Sequence, residues 1–316
     1  YGMGGLQPTD WLSLVGGARY EYADISLINF NQEGADKTYR DVLPSFSATF
    51  SLPRTMKVRT AYGKTLARPN ERELAPYSNF DPAENVPVSG NPDLVQTSIH
   101  SLDLRWEAFP RPSDLFSVSA FYKFLDQPIE KVVIDDNGAI SYKNVDRADI
   151  MGIELEAKYN LESLAPPLAG FTVGGNAALI RSALSIDSTE LAQRRRFDPE
   201  APGERQLQGQ SPWVVNSYVN YANEPLGISA AVFFHMVGPT ITAVSQGDAP
   251  DIYSQPHPIF NVSAGKKLAR KLSLEASIRN LFDDVRQSSY TYAEKEYINI
   301  EQLRPRSYSL KLSWKL

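Results

Sequence analysis

From Tyr308 to Leu316 apolar and polar residues alternate without a break: Tyr308, Leu310, Leu312, Trp314 and Leu316 against Ser309, Lys311, Ser313 and Lys315. Successive side chains of an extended strand point to opposite faces, so this segment has one apolar wall and one polar wall. Such a strand either covers the core of a soluble sheet or faces lipid and encloses water. The pattern recurs along the chain. Leu102, Leu104, Trp106 and Ala108 alternate with Ser101, Asp103, Arg105 and Glu107, and Leu272, Leu274, Ala276 and Ile278 with Ser273, Glu275, Ser277 and Arg279. Ile153 to Leu161 and Ile228 to Met236 repeat it. Charges return on the second wall again and again, as a water-filled lumen permits and a closed sandwich core does not.

Segmentation on these runs predicts twelve strands, at 9–27, 38–52, 55–68, 97–110, 113–127, 141–162, 169–184, 207–222, 226–241, 256–269, 271–283 and 303–316. Most exceed the usual globular strand and reach the roughly 9–11 residues that cross a bilayer at a tilt. Short connections (Pro53-Arg54, Arg111-Pro112, Pro166-Pro167, Asn223 to Pro225, Arg270) alternate with long ones (Ile28 to Lys37, Pro69 to Gln96, Pro128 to Ile140, Ser185 to Gln206, Thr242 to Gln255, Asp284 to Gln302). That alternation is expected of an all-β, antiparallel up-and-down transmembrane barrel forming a single domain over 1–316, with short periplasmic turns and long extracellular loops. On this count both the first strand's start and the last strand's end lie at the periplasmic side.

Composition limits the alternatives. Without an apolar run of about 18 residues a helical membrane protein is excluded, while a mean hydropathy of −0.33 leaves a barrel open because lipid-facing and lumenal residues average out. Lys and Arg number 32 against 37 Asp and Glu, with no basic stripe, so no nucleic-acid partner is expected. Cysteine is absent, which removes disulfides, thiolate metal sites and a cysteine nucleophile. The opening Tyr1-Gly2-Met3-Gly4-Gly5 carries no secretory signal and reads as a turn at the start of a mature or truncated chain.

Several segments resemble TonB-dependent outer-membrane receptors in the C-terminal part of their barrel. These are Ala61 to Pro69 with Arg72-Glu73-Leu74-Ala75-Pro76; Gly90-Asn91-Pro92-Asp93-Leu94; Phe121-Tyr122-Lys123 with Pro128-Ile129-Glu130; Asn144-Val145 through Gly152 to Glu156; Leu207 to Pro212; and Arg279-Asn280-Leu281-Phe282-Asp283. Val95-Gln96 depart from the family's usual Pro-Glu, and Leu316 from its usual terminal aromatic residue. The resemblance implies a barrel of about 22 strands of which these are the last twelve. It also implies an N-terminal plug domain absent from this sequence and energy supplied by the TonB complex through that plug. The partners are then the lipid bilayer and a small-molecule ligand such as a ferric siderophore, with a surface lipoprotein lid in some glycan importers of the family.

Candidate ligand-binding residues lie in the long connections: Tyr77 and Phe80, the run Arg194-Arg195-Arg196, and Tyr290, Tyr292 and Tyr297. Guanidinium groups suit anionic chelates and exposed rings stack on aromatic or sugar groups, while the bland readings are a solvated loop face and an outer aromatic girdle. Trp106, Phe109, Phe116 and Trp314 fall beside short turns and suit an inner girdle. His100, His235 and His257 lack metal-ligand spacing, and Asp135-Asp136, Asp283-Asp284 and Glu294 with Glu296 lack that of a calcium loop, so no metal or cofactor is expected. Catalytic residues are not expected either. The functions in competition are a nutrient receptor, a passive twelve-stranded channel, and an outer-membrane phospholipase-like enzyme for which His100-Ser101 is the only neighbouring pair.

Overall fold

A computed structural model describes residues 1–28, 34–82, 86–135, 138–197, 199–245, 250–292 and 295–314. One antiparallel meander dominates it, each strand paired with the next in chain order: β1 (Gly2–Thr9), β2 (Leu12–Ile28), β3 (Gly34–Leu52), β4 (Met56–Ala67), β5 (Thr97–Ala108), β6 (Leu115–Asp126), β7 (Arg147–Asn160), β8 (Phe171–Ser185), β9 (Trp213–Asn223), β10 (Ile228–Val237), β11 (Ile259–Ala269), β12 (Leu272–Arg279) and β13 (Ser307–Trp314). A two-residue strand, Glu204–Arg205, adds to the end of β8.

The meander thus has thirteen strands where the sequence predicts twelve. The extra one is β1, whose glycines read as a turn but which pairs from Gly2↔Ala18 to Thr9↔Leu12. Its close approach needs a glycine opposite, since a Cβ on Gly17 would come within 2.7 Å of the Gly2 carbonyl oxygen. An odd count reverses the expected parity, so β1 runs from mid-wall, opposite Ala18, toward the short-turn end. The connection expected from Ile28 to Lys37 is largely strand, leaving residues 29–33, which fall outside the described residues. The sheet is open: β1 and β13 each have a neighbour on one side only.

Register sets same-face residues side by side from strand to strand, mostly apolar beside apolar on the outer face. One rung runs Gly4, Gly16, Phe46, Tyr62, Leu102, Tyr122, Met151 and Arg181, and others read Leu272↔Trp314, Leu274↔Leu312 and Ile278↔Tyr308. The outcome is one continuous apolar face, exposed as far as Leu310 at 73% and Leu179 at 71%. On β2 it spans Leu12 to Tyr22, ten residue steps, which at about 3.3 Å per step and a tilt near 40° covers roughly 25 Å. Trp11 stacked on Phe50, Phe116 near Tyr159, and Phe171 near Tyr221 gather at its short-turn end. Trp106, Phe116 and Trp314 lie there on the same face, and Phe109 in the adjoining turn. Beyond Tyr22 the pattern inverts: Asp24, Ser26, Asp36 and Thr38 take the outer face, hydrogen-bonded as Ser26 to Asp36 and Thr38 to Asp24.

The long connections fold over the opposite, polar face at their own end. Their strands form a second, eight-stranded sheet in the order Lys295–Leu303, Val285–Tyr292, Ile252–Ser254, Thr240–Ser245, Ile129–Val133, Ile140–Asn144, Val86–Ser89 and Ser78–Asp81. Connections from non-adjacent hairpins meet in it, with Val244 beside Val132 and Ile140 beside Val88 in parallel pairs. Buried apolar residues cluster beneath this roof: Val145, Ala148, Ile150, Leu184 and Leu207; Ala35, Leu74 and Leu94; Val132, Ile241 and Val244.

Candidate functional site: the roofed rim

Where the ladders of the wall stop, side-chain carboxamides take over from the backbone. Asn144 accepts from the Val95 N–H at 2.9 Å and donates to the carbonyls of Val95 (3.0 Å) and Gln127 (2.7 Å). Gln208 does the same between two loop strands, accepting from the Lys131 N–H at 2.7 Å and donating to Lys131 O (2.9 Å) and Thr242 O (2.8 Å). Asn91 donates to Tyr142 O at 2.9 Å and accepts from the Asp93 N–H, while Asn280 accepts from the Asp284 N–H and donates to Arg304 O. A carboxamide has the donor and acceptor of a peptide group, so each of these residues stands in for a missing strand partner. Arg68 closes the same rim with ion pairs to Glu21 (2.9 Å) and Asp41 (3.0 Å) and with its guanidinium over the Tyr39 ring. The motif residues that carry the family resemblance are therefore stitches between loop bases and wall.

A buried chain of alternating charges joins the roof's middle. Arg205, 6% exposed, grips Glu130 through both terminal guanidinium nitrogens (2.9 and 2.5 Å) and donates from Nε to Glu190 at 2.7 Å. Arg194 then bridges Glu190 (3.0 Å) and Asp251 (2.8 Å), and Lys143 reaches Glu190 at 3.5 Å. Three connections meet here, 127–146, 186–212 and 238–258. Glu190 and Arg194 are one turn apart on the helix α1 (Ser188–Phe197), and Asp187 receives the N–H groups of Thr189 and Glu190 at its start. Burial opposes ionisation of Glu190, but Arg205, Arg194 and Lys143 outweigh it and hold its carboxyl below the usual range; the Glu190 N–H hydrogen bond and Lys143 do so for Asp187. On Arg205 burial likewise opposes the charge, and Glu130 and Glu190 overcome it. No spacing in the sequence announces this chain, since Glu130 and Arg205 are brought together only by the roof.

The candidate residues divide. Arg194 is held inside the ion-pair chain, whereas Arg195 and Arg196 are exposed on the last turn of α1, where cations suit the helix dipole; Arg195 donates weakly to Ala201 O at 3.4 Å. The loop expected around them is thus a ten-residue helix. Tyr290 stacks on Tyr297, ring centres 5.6 Å apart, and Tyr77, Phe80 and Tyr297 are exposed. The Tyr292 side chain lies outside the described residues. Phe80 and Tyr297 sit on opposite end strands of the eight-stranded sheet, seven spacings or roughly 34 Å along its path, so the structure does not bring the two aromatic groups together. All of them lie in the roof rather than in the apolar band.

Below the rim the inner wall is polar and unevenly charged. Arg105 bonds Glu107 (2.8 Å) and Glu156 (2.7 Å), and Arg59 bonds Glu107 (2.9 Å). On β8–β10 the same face is neutral, with Asn216 donating to Asn176 at 2.8 Å and His235 2.6 Å from Asn216. His100 and Ser101 point to opposite faces of β5, and His100 Nδ1 lies 2.9 Å from the Tyr62 hydroxyl, so this pair is no Ser-His dyad. Among the described residues no group of three or more His, Asp or Glu is arranged to hold a metal. Asp283 is bonded by Arg306 and Glu296 by Ser289, while Asp136 and Glu294 lie outside the described residues.

A wall apolar outside, polar inside and roofed at one rim defines a section of a transmembrane-type β-barrel. The family model described as "TonB dependent receptor-like, beta-barrel" matches residues 1–281, and the chain belongs to that family, one of receptors and not of enzymes. Among solved structures it is similar in fold to the ferric yersiniabactin uptake receptor of Yersinia pestis (19% identity, TM-score 0.64, 97% of this chain and 43% of that one). It is likewise similar to the siderophore receptor PirA of Pseudomonas aeruginosa (14%, 0.59, 99% and 47%) and to the copper transporter OprC (16%, 0.65, 98% and 46%). The chain spans less than half the length of these structures. No curated protein matches it.

Proposed function

We propose that this chain is the C-terminal part of the barrel of an outer-membrane, TonB-dependent receptor that takes up a scarce nutrient, a ferric siderophore being the leading candidate. The apolar face meets acyl chains, the polar face surrounds an aqueous lumen, and the roofed rim faces outward to collect ligand. The observation that carries this reading is the apolar face, about 25 Å tall, that runs on one side of all thirteen strands in a chain of this receptor family. A plug domain and the TonB complex complete the machine, since an open half-wall has no means of gating. The siderophore receptors and the copper transporter among the fold neighbours support a metal, bare or chelated, as cargo. Tyr77, Phe80, Arg195, Arg196, Tyr290 and Tyr297 are the proposed contacts on the rim, and Arg194 contributes by positioning α1.

The test is uptake of a panel of 55Fe-loaded catecholate, hydroxamate and phenolate siderophores by cells with and without the full-length receptor gene, under iron limitation. Loss of uptake of one class, restored by the gene but not by a gene lacking the plug's TonB-contacting segment, is the expected result. Unchanged uptake of every class alongside lost growth on an oligosaccharide would move the cargo to sugars.

A further inference from the structure

We propose that the outer face of β4–β8, at the rim end of the apolar band, binds the phosphate-bearing headgroup of a lipid whose chains lie on the band beneath. The inference rests on the membrane reading given above. Two neighbouring rungs make the site. The lower is Tyr62, Leu102, Tyr122, Met151 and Arg181; the upper is Lys64, His100, Phe124, Asp149 and Ala183. All these side chains are on the face that carries Leu104, Trp106, Ile153, Leu155 and Leu179 further down.

The charges are not balanced locally. Asp149 is satisfied by Arg147, through Nε and a second nitrogen at 2.9 Å each, and by the Tyr122 hydroxyl; Asp126 stands opposite Arg147 in the register. Arg147 in turn lies over the Phe124 ring, 4.5 Å from its centre. The Asp149 carboxylate is thereby committed to Arg147. Lys64 and Arg181 have no carboxylate partner among the described residues, and His100, beside Lys64, is bonded only to Tyr62. Lys64 and Arg181 are four strand spacings apart, roughly 19 Å, with aromatic rings between them.

The vertical order of the groups identifies the occupant. Lys64 stands directly above Tyr62 and Arg147 one rung above Phe124, while Arg181 shares the tyrosine rung above Leu179, so the cations lie at or above the rings and the rings above aliphatic side chains, in the order phosphate, interface and acyl chain of a lipid. Cations in that position lose little hydration and gain a fixed anion. The neighbouring quarter provides the contrast: on β9–β12 the outer face near the rim carries Val215, Met236, Phe234, Phe260 and Ile278 and no charge. Headgroup binding is therefore assigned to β4–β8 and not to β9–β12.

The full-length receptor, folded in detergent, is loaded with an equal mixture of phosphatidic acid and phosphatidylcholine, and the lipids retained after delipidation are counted by native mass spectrometry. Phosphatidic acid is expected to be retained preferentially, and Lys64→Gln with Arg181→Gln to lower that retention about tenfold without changing phosphatidylcholine. Lys266→Gln, on the same face at the short-turn end, is the control and should change nothing. Equal retention by the native protein and the double variant overturns the proposal, as does full displacement by millimolar inorganic phosphate, which would mark a site for the free anion. Heat-modifiable folding and ligand uptake by the double variant stay normal in either case, so failure here is distinct from failure of the receptor reading.

Discussion

Asn144 shows what a single side chain does at this rim. It makes three hydrogen bonds that a strand partner would otherwise make, and its replacement removes both bonds to the Val95 backbone and leaves the Gln127 carbonyl with the Thr97 hydroxyl alone. Asn144→Ala in the full-length receptor should cost roughly 1–3 kcal/mol, read as a lower midpoint of heat-induced barrel unfolding on gels. Asn144→Asp keeps the acceptor and loses both donations, so it should fall as far or further; a midpoint unchanged in both variants would reject the stitch. Gln208→Glu is the matching test at the second carboxamide, where a carboxylate would face the carbonyls of Lys131 and Thr242 and also the nearby Glu130.

Among elements, α1 and the loop strands behave as one body because ion pairs cross between them. Removing the centre, as in Arg205→Met, leaves Glu130 and Glu190 buried without their main partner, a defect of about 3–5 kcal/mol. Since these residues touch the wall only at the last two residues of β8, the expected result is selective: hydrogen exchange rises in 127–146 and 186–212 while β5–β7 and the rest of β8 stay protected. Acid should do the same. Glu190 and Asp187 titrate below their ordinary range in the folded protein, so what they contribute is complete above roughly pH 4 and fades as pH falls through their lowered values. Exchange in the roof should thus be flat from pH 7 to about 5, after correction for the intrinsic rate, and rise below about 4.

For the whole molecule the two faces of the wall make opposite demands. Leu155 and Glu154 are adjacent on β7 but point to different solvents. Arginine at Leu155 should destabilise the folded receptor by about 2–4 kcal/mol, as a cation near the middle of a lipid-facing band does, whereas Glu154→Gln should stay within about 0.5 kcal/mol. Equal effects in a denaturant titration in lipid would mean that the apolar face does not meet acyl chains. The open sheet has a consequence as well: β1 and β13 present unpaired backbone groups along one edge each. In hydrocarbon these cost several kcal/mol apiece, so residues 1–316 expressed alone should aggregate and give neither heat-modifiable bands nor stable conducting pores.

Alternation alone determined twelve of the thirteen wall strands, their two faces and the alternation of short and long connections, because a period of two is local and survives any tertiary context. It missed β1, where glycines leave no side chains to alternate, and it drew a loop where Asp187 and the charges of α1 make a helix. The motifs Gly90 to Leu94 and Leu207 to Pro212 identified the family without revealing what their carboxamides do. That was decided by tertiary structure, as were the burial of Arg194, the separation of Tyr77 and Phe80 from Tyr290 and Tyr297, and the meeting of Glu130 with Arg205. Each depends on loops from hairpins that are not neighbours folding over the same rim, and contacts between segments so far apart leave no period in the chain to read.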